Sequence, residues 1–164
     1  MLKTLTGLTA ALVLALPASA LADSAKSTET RTCNEYGDQI SFTGSRTLWP
    51  PNHKYRTFTI TATAGGPTAS MDEVMFSSLV TSDEVVNGEE LNGSGNTAVD
   101  ASPNPATASG TGSASADQAI RSERSGRGDG RTYTVTVNAS FGLLGARTCS
   151  EEFTVVVPHD QRKS

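Results

Sequence analysis

The chain has 164 residues, two cysteines and a formal net charge of −4, with 36% apolar, 5% aromatic and 18% charged residues. Its lysines and arginines are scattered and no basic run is interleaved with stacking rings, so a nucleic-acid footprint is excluded. Thr, Ser, Ala, Gly and Val dominate and Leu is scarce, the balance of an exported β protein.

Residues 1–22 read as a secretory signal peptide: Lys3 is the positive region, residues 8–16 are the apolar region, and Ala20-Leu21-Ala22 is a small-x-small cleavage site. The apolar run is well short of the ~20 residues needed to cross a bilayer, and no other stretch is long enough, so no membrane span is expected. Removal of the peptide takes away Lys3, moves the charge to −5 and leaves 142 residues, enough for one domain.

Residues 23–38 are expected to be an N-terminal leader, of which 23–31 are polar and expected to be mobile. Cys33 lies in it and Cys149 lies near the C-terminus; in an oxidising compartment the default for such a pair is a disulfide. No C-x-x-C motif or activating neighbour suggests redox or nucleophilic chemistry. Residues 39–43 (QISFT) form a short predicted strand. In Leu48-Trp49-Pro50-Pro51-Asn52-His53-Lys54 two prolines remove backbone donors, so ladder pairing must stop. Trp49, the single tryptophan, is either a ligand platform or, as we expect, a partly buried plug.

Residues 55–64 (YRTFTITATA) alternate strictly and predict a strand with Phe58, Ile60 and Ala62 inward and threonines outward. Gly65-Gly66-Pro67 turns the chain. Residues 74–82 predict the next strand, with Val74, Phe76 and Val80 on one face; Met75 and Leu79 are four apart, but the β-branched and serine content favours strand over helix. From residue 83 to residue 117 the pattern is lost, and residues 92–96 and 106–115 are expected as exposed loop, with a short edge strand over 98–101. Residues 120–137 (IRSERSGRGDGRTYTVTV) read as a hairpin: a polar strand, a turn through Gly126, Gly128 and Gly130, and a strand with Tyr133, Val135 and Val137 on its core face. A turn over 141–145 and a closing strand over 152–158 complete about seven strands with no convincing helix. The expected fold is all-β: a two-sheet antiparallel immunoglobulin-like sandwich over residues 39–160, followed by a tail over 161–164.

Two resemblances sharpen this. Asp129-Gly130-Arg131-Thr132-Tyr133 resembles the tyrosine corner of immunoglobulin-type sandwiches, which implies a Tyr133 hydroxyl bonded to upstream backbone. Val135 stands where antibody domains carry a cysteine, so Cys33 and Cys149 would form a different bridge. Four ordered motifs, Leu48 to Lys54, Val80-Thr81-Ser82-Asp83-Glu84, Arg121-Ser122-Glu123-Arg124-Ser125-Gly126 and Val157-Pro158-His159-Asp160, resemble the immunoglobulin-like, hyalin-repeat-related modules of secreted and surface bacterial proteins. That resemblance implies an accessory or adhesive role and carries no catalytic residues. The chain departs from the pattern at residues 140–145, which are apolar and glycine-rich where an acidic turn is usual.

Chemistry-bearing motifs are few. Asp83, Glu84, Asp100, Glu123, Asp129 and Asp160 fall at strand ends or loops, where sandwiches bind calcium through carboxylates and carbonyls; Asp83, Glu84 and Asp160 are the first metal candidates. Without a D-x-D-x-D-G run, solvated surface acids are the competing reading. Arg127-Gly128-Asp129 is the tripeptide that integrins read, set where Gly128 and Asp129 already serve the turn and corner. His53 and His159 lack the spacing of a zinc site, and no Gly-x-Ser-x-Gly elbow marks a hydrolase. The expectation is therefore a secreted, monomeric, non-catalytic binding or adhesion module without a cofactor. Its partner would be an extracellular protein or glycan met by the loops over 83–117 and 124–131. The alternative is a calcium-stabilised structural domain.

Overall fold

The computed structural model describes residues 25–84, 100–124 and 129–159. The expected signal peptide, loop 92–96 and tail, together with Arg127, Gly128 and Asp160, lie outside the described residues. Among the described residues nine strands form two antiparallel sheets. They are β1 (Ser27–Thr32), β2 (Gln39–Gly44), β3 (Tyr55–Thr63), β4 (Glu73–Ser82), β5 (Ala101–Ser102), β6 (Ala106–Thr111), β7 (Ser113–Arg121), β8 (Gly130–Phe141) and β9 (Arg147–Pro158). One sheet has the order β1-β2-β3-β7-β5 and the other β6-β4-β8-β9. With β2, β3 and β7 as strands A, B and E, and β6, β4, β8 and β9 as C′, C, F and G, this is an immunoglobulin-type order.

Period-two alternation explains the core. Phe58, Ile60 and Ala62 of β3, Val74, Phe76 and Val80 of β4, and Tyr133, Val135 and Val137 of β8 all face inward and are buried, as their spacing predicts. Phe42 of β2 packs between Phe58 (ring centroids 5.0 Å apart) and Phe153 of β9 (5.2 Å), which ties the sheets together. One buried polar bridge crosses the same core. Ser78 Oγ of β4 donates to Gln118 Oε1 of β7 at 2.9 Å, and Gln118 Nε2 donates to the Pro103 carbonyl at 2.8 Å. Asn104 then takes both backbone groups of Val80 through its side-chain amide, standing in for a strand partner where β6 has ended.

Four expectations are corrected. The stretch 23–38 is not merely a leader: Ser27–Thr32 pairs along its whole length with β2, with the Thr28 and Thr30 hydroxyls meeting those of Thr43 and Ser41 across the ladder. Glu29 bonds to Arg46, whose guanidinium lies 4.3 Å from the Phe42 ring centroid. Residues 106–115 are not loop but β6 and the start of β7, separated by Gly112, whose φ of +73° few side chains adopt. Small residues here hid a strand pair from a composition-based reading. Of the edge strand expected over 98–101, residues 98 and 99 lie outside the described residues, and the strand observed beside them is Ala101–Ser102, on the β7 edge. Finally, residues 120–137 are not a hairpin, since β7 and β8 belong to different sheets and the chain crosses between them.

The edge of β9 is covered near its end by residues 46–48: the Leu48 amide donates to the Val156 carbonyl and the Val156 amide to the Arg46 carbonyl, both at 2.8 Å. Leu48 is fully buried and Trp49 half-buried. A disulfide joins Cys33, just after β1, to Cys149 in β9, so it links the edge strands of opposite sheets across 116 residues of chain. Replacing both cysteines by serine is expected to lower unfolding stability by about 4–5 kcal/mol, from the unfolded-chain entropy released. Urea denaturation of the double variant beside the oxidised protein measures this, and a loss well under 2 kcal/mol would show that the other contacts of β1 suffice.

Candidate functional site

Of the sequence-predicted residues, Asp83, Glu84 and Tyr133 gather at one end of the sandwich, around Arg131. Alternation along β8 turns its side chain inward, where it is 1% exposed. A guanidinium so placed must be paired or it destabilises the fold. Its Nε donates to Glu84 Oε2 at 2.8 Å, and its Nη1 donates to Asp100 Oδ1 at 3.0 Å and to the Tyr133 hydroxyl oxygen at 3.2 Å. Tyr133 in turn donates to the Arg121 carbonyl at 3.0 Å, twelve residues upstream. Burial pushes the Tyr133 phenol well above its ordinary range, so the hydroxyl keeps its proton.

The neighbouring motifs lock onto this cluster. Asp83 Oδ1 accepts from the Thr132 amide at 2.8 Å while the Asp83 amide donates to the Thr132 carbonyl at 3.1 Å, extending the β4–β8 ladder by one residue. Ser122 Oγ donates to the Pro50 carbonyl at 2.8 Å and the His53 amide donates to the Ser122 carbonyl at 2.9 Å, which fixes the two-proline loop. Glu123 is 3% exposed and meets Arg121 Nη1 at 2.6 Å and His53 Nδ1 at 3.5 Å. Gly130, at a φ of +130°, lies opposite Pro158; a side chain there would press on the Val157 carbonyl.

The metal candidates are thus engaged elsewhere: Asp83 with backbone and Glu84 with Arg131, while Asp160 lies outside the described residues. Among the described residues no group of three or more His, Cys, Asp or Glu is gathered for an ion. Asp129 is exposed just ahead of β8, and the carboxylate beside the Tyr133 hydroxyl is that of Asp100, 3.5 Å away.

The opposite end holds a second ionic lock. Asp38, with no exposed surface, takes Arg147 Nε and Nη2 at 2.7 and 3.0 Å, and Nη2 also reaches Asp72 at 2.7 Å. Burial opposes ionisation of Asp38, but Arg147, the Asn34 amide and the Gly65 N–H outweigh it and hold the carboxyl below its ordinary range.

Next to this lock is an exposed apolar turn. After β8 a 3-10 turn (Leu143–Gly145) leaves Leu143 81% and Leu144 91% exposed. Leu144 has a φ of +56°, a conformation rare for a branched side chain, so the backbone is strained where the leucine is held in water. Met71 (75% exposed), on the 3-10 turn Ala69–Met71, and Met75 (41%), on β4, lie on the same end. The leucine turn borders a shallow groove of about 620 Å³ on the outer face of β4, β8 and β9, lined by Met75, Ser77, Asn138, Ser140, Thr148 and Ser150. A second hollow of about 480 Å³, around Tyr36 and Arg147, shares Thr148 with it. The sequence did carry a signal: residues 140–145 depart from the motif pattern by being apolar. Their exposure was not legible there.

The chain matches no family model, no curated protein and no solved structure.

Arg131→Met is expected to destabilise by about 3–5 kcal/mol, because it removes the buried guanidinium that donates to Glu84, Asp100 and Tyr133; thermal and urea unfolding measure it. Asp38 gives a pH test. Its folded pKa is depressed, so its contribution is present above roughly pH 4 and is lost as the pH falls through the folded value. Asp38→Asn should flatten the acid limb of the urea midpoint against pH, whereas an unchanged limb would assign the acid sensitivity to other carboxylates.

Proposed function

We propose that the chain is an exported, non-catalytic binding or adhesion module. The exposed Leu143–Leu144 turn beside the groove carries this reading, because large apolar side chains held in water next to a concave surface mark an interaction site. Two further observations support it. The disulfide is of a kind that persists in oxidising compartments, and the buried ionic residues at the Arg131 end bond to one another, which suits a structural role. The rigid sheets would hold the contact surface in place, so binding would need little ordering of the chain. The proposed surface lies at the end opposite Glu84, Asp100 and Arg131, whereas the sequence alone led us to expect recognition by the connections over 83–117 and 124–131, parts of which lie outside the described residues.

The test is biolayer interferometry of the immobilised oxidised chain against matrix proteins, cell-wall glycans and the chain itself. We expect binding to at least one of them, weakened at least about tenfold by Leu144→Asp or Met75→Glu with an unchanged melting temperature. No binding to any, or binding indifferent to both substitutions, would overturn the reading. A melting temperature that rises in millimolar calcium and loses the rise on Asp83→Asn would favour the calcium-stabilised structural domain instead.

A further inference from the structure

We infer that the hollow around Tyr36 is a subsite for one neutral sugar unit, a hexose. The inference rests on the binding-module reading above and names a ligand class for it, through side chains other than the leucine turn. Residues 33–38 form the turn between β1 and β2, and Asn34 shapes it. Its Oδ1 accepts from the Tyr36 amide and its carbonyl from the Gly37 amide, both at 3.1 Å, with Gly37 at a φ of +82°. Gly65 approaches the Tyr36 carbonyl so closely that no side chain would fit between them. The ring therefore leaves a fixed backbone, and it is 54% exposed. The Arg147 guanidinium lies 5.2 Å from its centroid and is itself clamped by Asp38 and Asp72. An aromatic surface held in place and open to water at the wall of a hollow is what stacking on a ligand requires.

Polar groups of both kinds line the same hollow. Its volume of about 480 Å³ falls within the roughly 300–1,000 Å³ of small-ligand sites. Arg147 gives Nε and Nη2 to the two aspartates, which leaves Nη1 as a donor. Glu35 is exposed, and among the described residues no hydrogen bond or ion pair engages its carboxylate, so it can accept. The exposed Thr148 hydroxyl can do either. A hexose matches this set, because its C–H face is apolar and its rim of hydroxyls both donates and accepts.

Charge selects a neutral ligand. The carboxylates of Asp38, Asp72 and Glu35 outnumber the single guanidinium of Arg147, so an anion entering the hollow meets excess negative charge. A cation seeking the ring finds Arg147 already over it and is repelled by the guanidinium. A hydroxyl-rich ligand without charge meets neither obstacle.

Saturation-transfer difference NMR of the oxidised chain with glucose, galactose, mannose and N-acetylglucosamine, each to about 50 mM, tests this, since one hexose in so open a hollow should bind in about the millimolar range. At least one sugar should bind, with transfer strongest to the C–H protons of one face. Tyr36→Ala and Glu35→Gln should each weaken it at least about threefold, while Tyr36→Phe keeps the platform and the binding. Glu35 engages no other described side chain, so Glu35→Gln still decides the matter if Tyr36→Ala lowers the melting temperature. Binding of none of these sugars, binding that ignores both substitutions, or a preference for glucuronate or glucosamine would overturn the inference. If no sugar binds while the interferometry panel finds a partner that needs Leu144, the binding-module reading stands and the sugar subsite alone fails.

Discussion

A guanidinium buried to 1% exposure cannot be left without counter-charges, and this requirement at Arg131 organises one whole end of the molecule. To satisfy it, β4 must end where Glu84 can reach, Asp100 must lie just before β5, and Tyr133 must sit two residues along β8 on the same inward row. Tyr133 then reaches the Arg121 carbonyl at the end of β7, so the cluster stitches both sheets. Glu84, Asp100 and the Arg121 carbonyl, far apart in sequence, each supply a group to the same desolvated network.

The opposite end uses the same device with different parts. Arg147 joins Asp38 to Asp72 beside the disulfide, so the N-terminal strand, the β3–β4 connection and the start of β9 are held together. Between the two locks lies an ordinary apolar core with Phe42, Phe58 and Phe153 at one side and a single polar bridge, Ser78 to Gln118, in the middle. Both locks are made of groups already bonded to one another. The groove on the outer face of β4, β8 and β9 is lined by uncharged side chains.

That division shapes the functional reading. A sandwich whose ends are fixed by ion clusters presents its sheet face and turn as a rigid surface, and rigid surfaces lose little entropy on contact. Leu143 and Leu144 sit at the junction of face and end, on a turn whose strain is tolerated because Gly142 donates to the Glu73 carbonyl and fixes the turn to β4.

The sequence by itself determined where most strands run and which side chains point inward. Period-two alternation is a local property: Phe58, Ile60, Val74, Phe76, Val135 and Val155 could be placed on the core face without knowing any neighbour. Length, the cysteine pair and the absence of basic runs bounded the class in the same local way. Only the tertiary structure decided which strands pair. β1 holds only serine, threonine, Glu29 and Arg31, and β6 only alanine, threonine, serine and Gly110, so with little apolar contrast their strand character comes from the ladders of β2 and β4 rather than from their own pattern. The crossing between β7 and β8 was invisible because a glycine-rich connection fits a hairpin and a change of sheet equally well. Arg131 and the leucine turn mark the same limit. Burial of a cation and exposure of a leucine both depend on what the rest of the chain brings alongside, and that is settled by contacts far apart in sequence.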